Sequence, residues 1–379
     1  MIIITLKTYW KMNKFLDSWR KRIYTYLVIK SKRLLFNRKK MNNITIKDVA
    51  RRCGVSIATI SRVINKSSVG VSKETAERVM KMIKKMDYQP NQMARSMVTQ
   101  KTDSIGLILP DICNPFFSEL ARGVEDTCNK YSFSCLLCNT DGKIDKETSY
   151  IELLGGKVIG GALFTTQNTI EDNPAFSILQ KRKIPFCFIE RYVSRLDTVP
   201  GVYFDNFNGA RLITEYLLEK NHTHIAFISG PLSTYNAQKR LEGFKYALSI
   251  KNISFNQTLF YESDYKYDGG YTAMNELFKR NAVFSAVFAA NDLMALGALQ
   301  SIEEHGFHVP KDYSIVGFDN IVYPKVLKPM ITTIEIPAYK LGAAAASMLI
   351  SHLKTGSLEQ PKITFKPVLV DKGSVRKIN

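Results

Sequence analysis

Thr45-Ile46-Lys47-Asp48-Val49-Ala50-Arg51-Arg52-Cys53-Gly54-Val55-Ser56-Ile57-Ala58-Thr59-Ile60-Ser61-Arg62-Val63-Ile64-Asn65 is the stretch on which the reading of this 379-residue chain turns. It predicts two short helices joined by a tight turn. Thr45 is placed to cap the first helix and Ser56 the second, because a side-chain oxygen at a helix start accepts an otherwise orphaned backbone N–H. Gly54 falls where the first helix must stop and the chain reverse, a place for a residue free to take positive φ. Val49, Ala50, Val55, Ile60 and Val63 then meet on the inner side, and Ala50 is small enough for a close crossing. The outward face of the second helix carries Ser56, Thr59, Ser61, Arg62 and Asn65. Short hydroxyls, a guanidinium and an amide suit phosphate oxygens and base edges. The pattern is a helix-turn-helix, which points to duplex DNA as partner. A plain αα-hairpin with a polar face is the competing reading, and the agreement of so many positions weighs against it.

Charge is distributed to match. Residues 1–40 hold 12 basic and 1 acidic side chains, residues 41–100 hold 11 and 4, and the other 279 residues hold 30 and 29. A basic head on a neutral body is the footprint of a protein that meets polyanion at one end. An apolar content of 45% supports a sizeable core, and the length suggests two or three domains. Cys135 and Cys138 form a C-x-x-C inside Phe133-Ser134-Cys135-Leu136-Leu137-Cys138. That segment reads as a buried strand with core thiols, since no second pair or nearby His completes a metal set. No segment reaches the roughly 18 apolar residues of a membrane span, and no signal peptide is evident. A reducing cytoplasm is the expected setting, with no metal and no cofactor.

Beyond the recognition segment, Ser72 starts a third helix to Met86, with Val79, Met82, Ile83 and Met86 at helical spacing. From Thr102, short apolar strands alternate with helices. Strands are expected at Ser104–Leu109, Phe133–Cys138, Ile225–Ser229, Ala282–Ala289 and Ser314–Val316, and a helix at Phe117–Tyr131. Repeated βα units imply an α/β body of two lobes, each a parallel sheet covered by helices on both faces. Ligands of such folds bind outside the carboxyl ends of the strands. Asn114, Glu190, Arg191, Asn291, Asp292 and Asp319 stand at such ends. Carboxylates and amides pair with vicinal hydroxyls, and the rings of Phe116, Phe117 and Tyr265 suit the apolar face of a sugar.

The helix-turn-helix segment resembles the headpiece of the lactose-repressor (LacI/GalR) family of bacterial transcription regulators. Asp111-Ile112-Cys113-Asn114-Pro115-Phe116-Phe117, Ala290-Asn291-Asp292-Leu293-Met294-Ala295-Leu296-Gly297 and Val316-Gly317-Phe318-Asp319 are similar, in the same order, to the family's effector domain. Within the family the resemblance is nearest to ribose operon repressors, in Phe116-Phe117, Arg240, Tyr265, Asp268-Gly269-Gly270, Asn291 and Asp319. It implies an all-α headpiece with a hinge helix over 41–100, followed by a two-lobed periplasmic-binding-protein-like effector domain over 101–379. It implies a homodimeric repressor on operator DNA, with no membrane partner. Ile57 and Ala58 would read bases while Arg62 and Asn65 anchor the helix. In the segment Tyr88 to Val98, Ala94 and Met97 would enter the minor groove, Met97 as the wedge between base steps. The sugar would be held by Asn114, Phe116, Phe117, Glu190, Arg191, Arg240, Tyr265, Asn291 and Asp319.

Three departures mark this chain. Glu190 stands where the family usually has Asp, Ile336 where it has Gln, and the Gly-rich run Gly155 to Gly161 looks one residue short. Residues 1–40 fit no part of the pattern. They are expected to be a basic, disordered extension or a start assigned upstream of Met41. The body alone also suits a sugar-binding transport component, and a purine or a phosphorylated carrier protein remains open as the effector. An enzyme is not expected, because no nucleophile, base and orienting group are ordered at the motif positions.

Overall fold

The computed structural model describes residues 44–64, 70–88, 102–155, 158–165, 174–190, 192–193, 196, 198–321, 329–357 and 361–379. The chain divides into two compact units, Met1–Val98 and Thr99–Asn379. Of the residues singled out in the sequence, Asn65, Ala94, Met97, Arg191, the hinge segment from Gln89 on and residues 1–40 lie outside the described residues.

The first unit contains α1 (Ile46–Cys53), α2 (Ile57–Ile64) and α3 (Lys73–Lys85). The start of α1 is closed by a shared cap. The Thr45 amide (3.0 Å) and hydroxyl (2.7 Å) both donate to the Asp48 carboxylate, so Asp48 is the acceptor where the Thr45 oxygen alone was expected. Gly54 ends α1 at φ 62°, its amide pointing back to the carbonyls of Ala50 and Arg51. Ser56 Oγ accepts the Thr59 amide at 3.1 Å, and Ser72 Oγ accepts that of Thr75 at 3.2 Å. Val49, Ala50, Cys53, Ile60, Val63, Val79 and Met86 form the buried core, with Val55 packed against it.

The second unit is built on two parallel sheets. The first has the order β11-β5-β4-β3-β1-β2, from β1 (Ser104–Leu109), β2 (Ser134–Asn139), β3 (Gly161–Phe164), β4 (Phe186–Ile189), β5 (Gly201–Phe204) and β11 (Lys362–Phe365). The second has the order β7-β6-β8-β9, from β6 (Ile225–Ser229), β7 (Phe260–Glu262), β8 (Ala286–Ala289) and β9 (Ser314–Val316). A short antiparallel pair joins β10 (Thr333–Glu335) to β12 (Val368–Val370). The covering helices are α4 (Pro115–Lys130), α5 (Ile144–Leu154), α6 (Pro174–Lys181), α7 (Asn206–Glu219), α8 (Tyr235–Ile250), α9 (Tyr267–Lys279), α10 (Asp292–Glu304) and α11 (Ala338–Thr355).

The central strands are continuous apolar runs because helices cover both of their faces. Leu107, Phe227 and Phe288 have no exposed surface. Helix α11 belongs to the first lobe although it follows the second in sequence. It lies on α4 through glycines, where a Cβ on Gly123 would come 2.1 Å from the Tyr339 carbonyl oxygen and one on Gly342 2.2 Å from that of Leu120. The chain thus crosses between lobes after β5, before α11 and between β11 and β12. No helix among the described residues is long and apolar enough to cross a membrane.

Several sequence expectations shift. The segment Phe133–Cys138 is not a buried strand: β2 is the sheet's edge, and Leu137 is 45% exposed. Cys138 is buried there and Cys135 half-buried. Helix α4 starts two residues earlier than expected, because Asn114 caps it and Pro115 suits a first helical position. The strand expected from Ala282 begins only at Ala286.

Candidate functional site

On α2, Ser56, Ile57, Ala58 and Arg62 are exposed, and Thr59 and Ser61 are half-buried. The Ser56 hydroxyl lies 2.9 Å from that of Thr59 while accepting its amide, so both are partly committed to the cap. The groups left facing outward are the apolar Ile57 and Ala58, followed one turn on by Arg62. On α1, the hydrogen bonds from Thr45 hold the Asp48 carboxyl below its usual range, so the exposed Thr45 hydroxyl is already engaged.

The second candidate site lies between the two lobes of the effector unit. Asn114, Phe116, Phe117, Glu190, Arg240, Tyr265, Asn291 and Asp319 line one cavity, together with Thr165 and Asn236. Phe116 and Phe117 come from the first turn of α4 and stand edge to face, 5.1 Å apart at 79°. Glu190 follows β4, Asn291 follows β8 and Asp319 follows β9, so the set converges from the carboxyl ends of both sheets.

A polar chain runs through the site. The Glu190 carboxylate accepts from the Phe204 amide, from Asn206 Nδ2 at 2.9 Å and from Asn236 Nδ2 at 3.3 Å. Asn206 Oδ1 in turn accepts from Arg240 Nε at 2.8 Å. The Arg240 guanidinium donates to the Ala290 carbonyl, lies 3.6 Å from Asp319 and rests 4.0 Å from the centre of the Phe318 ring. Glu190 belongs to the first lobe and Asn236 and Arg240 to the second, so this chain ties the lobes together. Asn291 is committed on both sides: its oxygen caps α10 at the Met294 amide and its nitrogen donates to the Tyr265 carbonyl, each at 2.9 Å. The Tyr265 ring packs on Gly230, and its hydroxyl is buried with no partner. The neighbouring Thr234 hydroxyl is taken by the Pro231 carbonyl at 2.8 Å.

Burial dominates the electrostatics. It raises the Glu190 carboxyl to about 7, against the opposing pull of Asn206, Arg240 and the Phe204 amide. It lifts Asp319 well above the usual carboxylate range, with Asp292 and Glu190 adding to the rise and Arg240 opposing it. Among the described residues, two buried carboxyls therefore face one guanidinium, that of Arg240. Glu190, Tyr265 and Asp319 also hold positive φ, at 54°, 65° and 111°. Non-glycine residues take such values where surrounding structure imposes them, a recurrent trait of binding sites.

Sequence reasoning missed Thr165, Asn206 and Asn236. Asn236 precedes Arg240 by one helical turn, so both project from one face of α8. Thr165 directly follows β3, a strand not anticipated among the Gly-rich residues before it. Ile336, where the family usually has Gln, is buried, and its amide donates to the Asp319 carbonyl at 3.1 Å.

A small helix-turn-helix unit and a two-lobed body with a polar inter-lobe cleft define a ligand-responsive DNA-binding regulator. The comparisons agree. The profile for "Bacterial regulatory proteins, lacI family" matches residues 45–91, and that for "Periplasmic binding proteins and sugar binding domain of LacI family" matches residues 102–368. The chain belongs to the LacI family of bacterial transcription regulators. It is 38% identical to the ribose operon repressor of Halalkalibacterium halodurans, over 83% of this chain and 92% of that protein. A LacI family transcriptional regulator from Enterococcus faecium, solved with bound ribose, is 31% identical over 73% of this chain and all of that one, with a TM-score of 0.66. The lac repressor dimer bound to operator and the anti-inducer ONPF is 25% identical over 88% of this chain and all of that one, with a TM-score of 0.78.

Proposed function

We propose that this chain is a homodimeric transcriptional repressor whose operator affinity is set by a small sugar of the ribose type, held by Asn114, Phe116, Phe117, Glu190, Arg240, Tyr265, Asn291 and Asp319. The observation that carries the reading is the convergence of these side chains on one cavity, two buried carboxyls and a guanidinium beside an edge-to-face phenylalanine pair. Hydroxyl pairs satisfy such polar groups, and C–H faces satisfy the rings. Similarity to a regulator solved with ribose supports the choice of sugar. The cavity measures about 30 Å³, room for a water or two, so a sugar enters when the lobes part and Arg240 gives way.

The site is a binder's rather than an enzyme's. Thr165, its aliphatic hydroxyl, donates to the Ile108 carbonyl at 3.2 Å and not to a base. On the headpiece, Ile57 and Ala58 meet thymine methyls while Arg62 and Asn65 hold the backbone, and Ala94 and Met97 enter the minor groove. The test is calorimetry of the full chain with D-ribose, followed by operator binding with and without saturating ribose. Heat on mixing and a changed operator affinity are expected. Heat with a purine base and none with any pentose overturns the sugar assignment.

A further inference from the structure

Outside the cavity wall, an aromatic pair spans the same two lobes. Tyr192 follows β4, two residues beyond Glu190, and Tyr235 opens α8, one residue before Asn236. Their rings stack with centroids 4.9 Å apart and planes 23° from parallel. Glu190 and Asn236, one step further in, meet at 3.3 Å across the same gap. Tyr192 is 37% exposed, which puts the stack at the surface, over the polar bridge. The Lys239 ammonium lies 5.4 Å from the Tyr235 ring centre and is itself tied to Glu242 at 2.6 Å, so the ring is braced from its own helix. Val193, the next residue, is buried in the first lobe's core beside Phe188, so Tyr192 reaches the opposite lobe from an anchored position. The stack can persist only while the lobes are closed.

We infer that Tyr192 and Tyr235 form an inter-lobe lock that fixes how long the effector stays bound and limits it to an unsubstituted monosaccharide. This rests on the sugar reading above. A ring held behind the stack cannot leave until the two faces separate. A substituent projecting toward the stack would have to lie where the rings now touch. Both consequences come from one contact, and the specificity it confers concerns size rather than hydroxyl pattern.

The test uses the full chain with Tyr192→Ala, Tyr235→Ala, the double variant, and the two Phe variants, which keep the rings. The probes are D-ribose and its 3-O-methyl and 5-O-methyl ethers. Each alanine variant should release ribose about two- to tenfold faster, the range an aromatic pair supports. The double variant should be no faster than either single, since one contact is lost once. The Phe variants should behave as the parent. The parent's preference for ribose over at least one ether should relax in the alanine variants. Unchanged release rates and unchanged preference for both ethers overturn the lock. Hydrogen exchange in the sugar-free chain separates this from the sugar assignment. Faster exchange at the Asn236 side-chain amide, which donates to Glu190 across the gap, is expected in both alanine variants. If the parent binds no pentose yet exchange quickens, the sugar reading fails and with it the size limit, while the inter-lobe contact stands. If exchange is unmoved, the lock fails whichever ligand binds.

Discussion

The headpiece and the effector body put function in opposite places. In the headpiece, the candidate reading residues are outside: Ile57 is 43% exposed, above a core of seven buried residues. In the body the candidate binding residues are inside: Arg240 is 5% exposed and Asp319 8%. The headpiece presents a surface to a rigid groove, so its chemistry sits on one helix face and its core only has to hold that face. The body must strip water from a small polar ligand, so its chemistry is buried and most of its polar groups are held by one another. The two regions should therefore fail differently under mutation.

The largest effect separates them. Ile60→Asp buries an unpaired charge in the small headpiece core, a cost of about 3–5 kcal/mol, more than a domain of this size is expected to withstand. Operator binding should disappear in a gel-shift assay while ribose calorimetry stays as in the parent. Loss of both would show that the regions do not fail apart.

The body should instead respond to pH. Glu190 stands near 7 in the fold against 4.5 when exposed, and Asp292 near 7 against 3.8. A raised carboxyl means the folded state holds its proton more tightly than the unfolded chain. The stability Glu190 contributes is therefore complete below pH 4.5 and is lost as pH rises through 7. The body's thermal midpoint should fall between pH 5 and 8, with Glu190 accounting for up to about 3 kcal/mol. Glu190→Gln should flatten that slope in a calorimetric series. An unaltered slope would mean that Glu190 is already ionised in the fold.

Asp319→Ala removes the carboxyl beside Arg240 and an acceptor for the ligand's hydroxyls. Ribose affinity should fall by about 1–3 kcal/mol, with binding to operator in the absence of sugar retained. On the headpiece, Ala58→Gln should change base preference at one operator position by about 1–3 kcal/mol. Binding-site selection that returns the parent's preference would place the reading residues elsewhere. The smallest effect belongs to the turn. Nothing lies within 4 Å of a Cβ added to Gly54, so Gly54→Ala meets only the cost of its φ of 62°, about 1–2 kcal/mol. Urea unfolding of the headpiece measures it.

These contrasts track what could be read without a fold. Gly54, Ser56 and the alternation of Val49, Ala50, Ile60 and Val63 act within a few residues of one another, so the headpiece was legible from spacing. In the body, Asn114, Glu190, Asn291 and Asp319 were legible as residues after strands, and Arg240 and Tyr265 through family resemblance. Asn206 carried no such mark. It joins Glu190 to Arg240, positions 16 and 34 residues away in sequence, and no local period reports a bond of that span. The edge position of β2 was illegible for the same reason: Cys135–Cys138 is as apolar as an inner strand, and only the strand order leaves one side unpaired.

Sequence determined what depends on neighbours along the chain: helix caps, the turn, the α/β alternation and the side chains available for DNA and for a ligand. Tertiary structure decided what depends on neighbours in space. It brought Glu190 and Arg240 to opposite ends of one asparagine, gave burial the deciding hand over Asp319's proton, and laid Tyr192 on Tyr235. The physical reason is range. Capping and backbone preference act over one helical turn, whereas desolvation and contact between lobes depend on where the chain has returned after crossing from one sheet to the other.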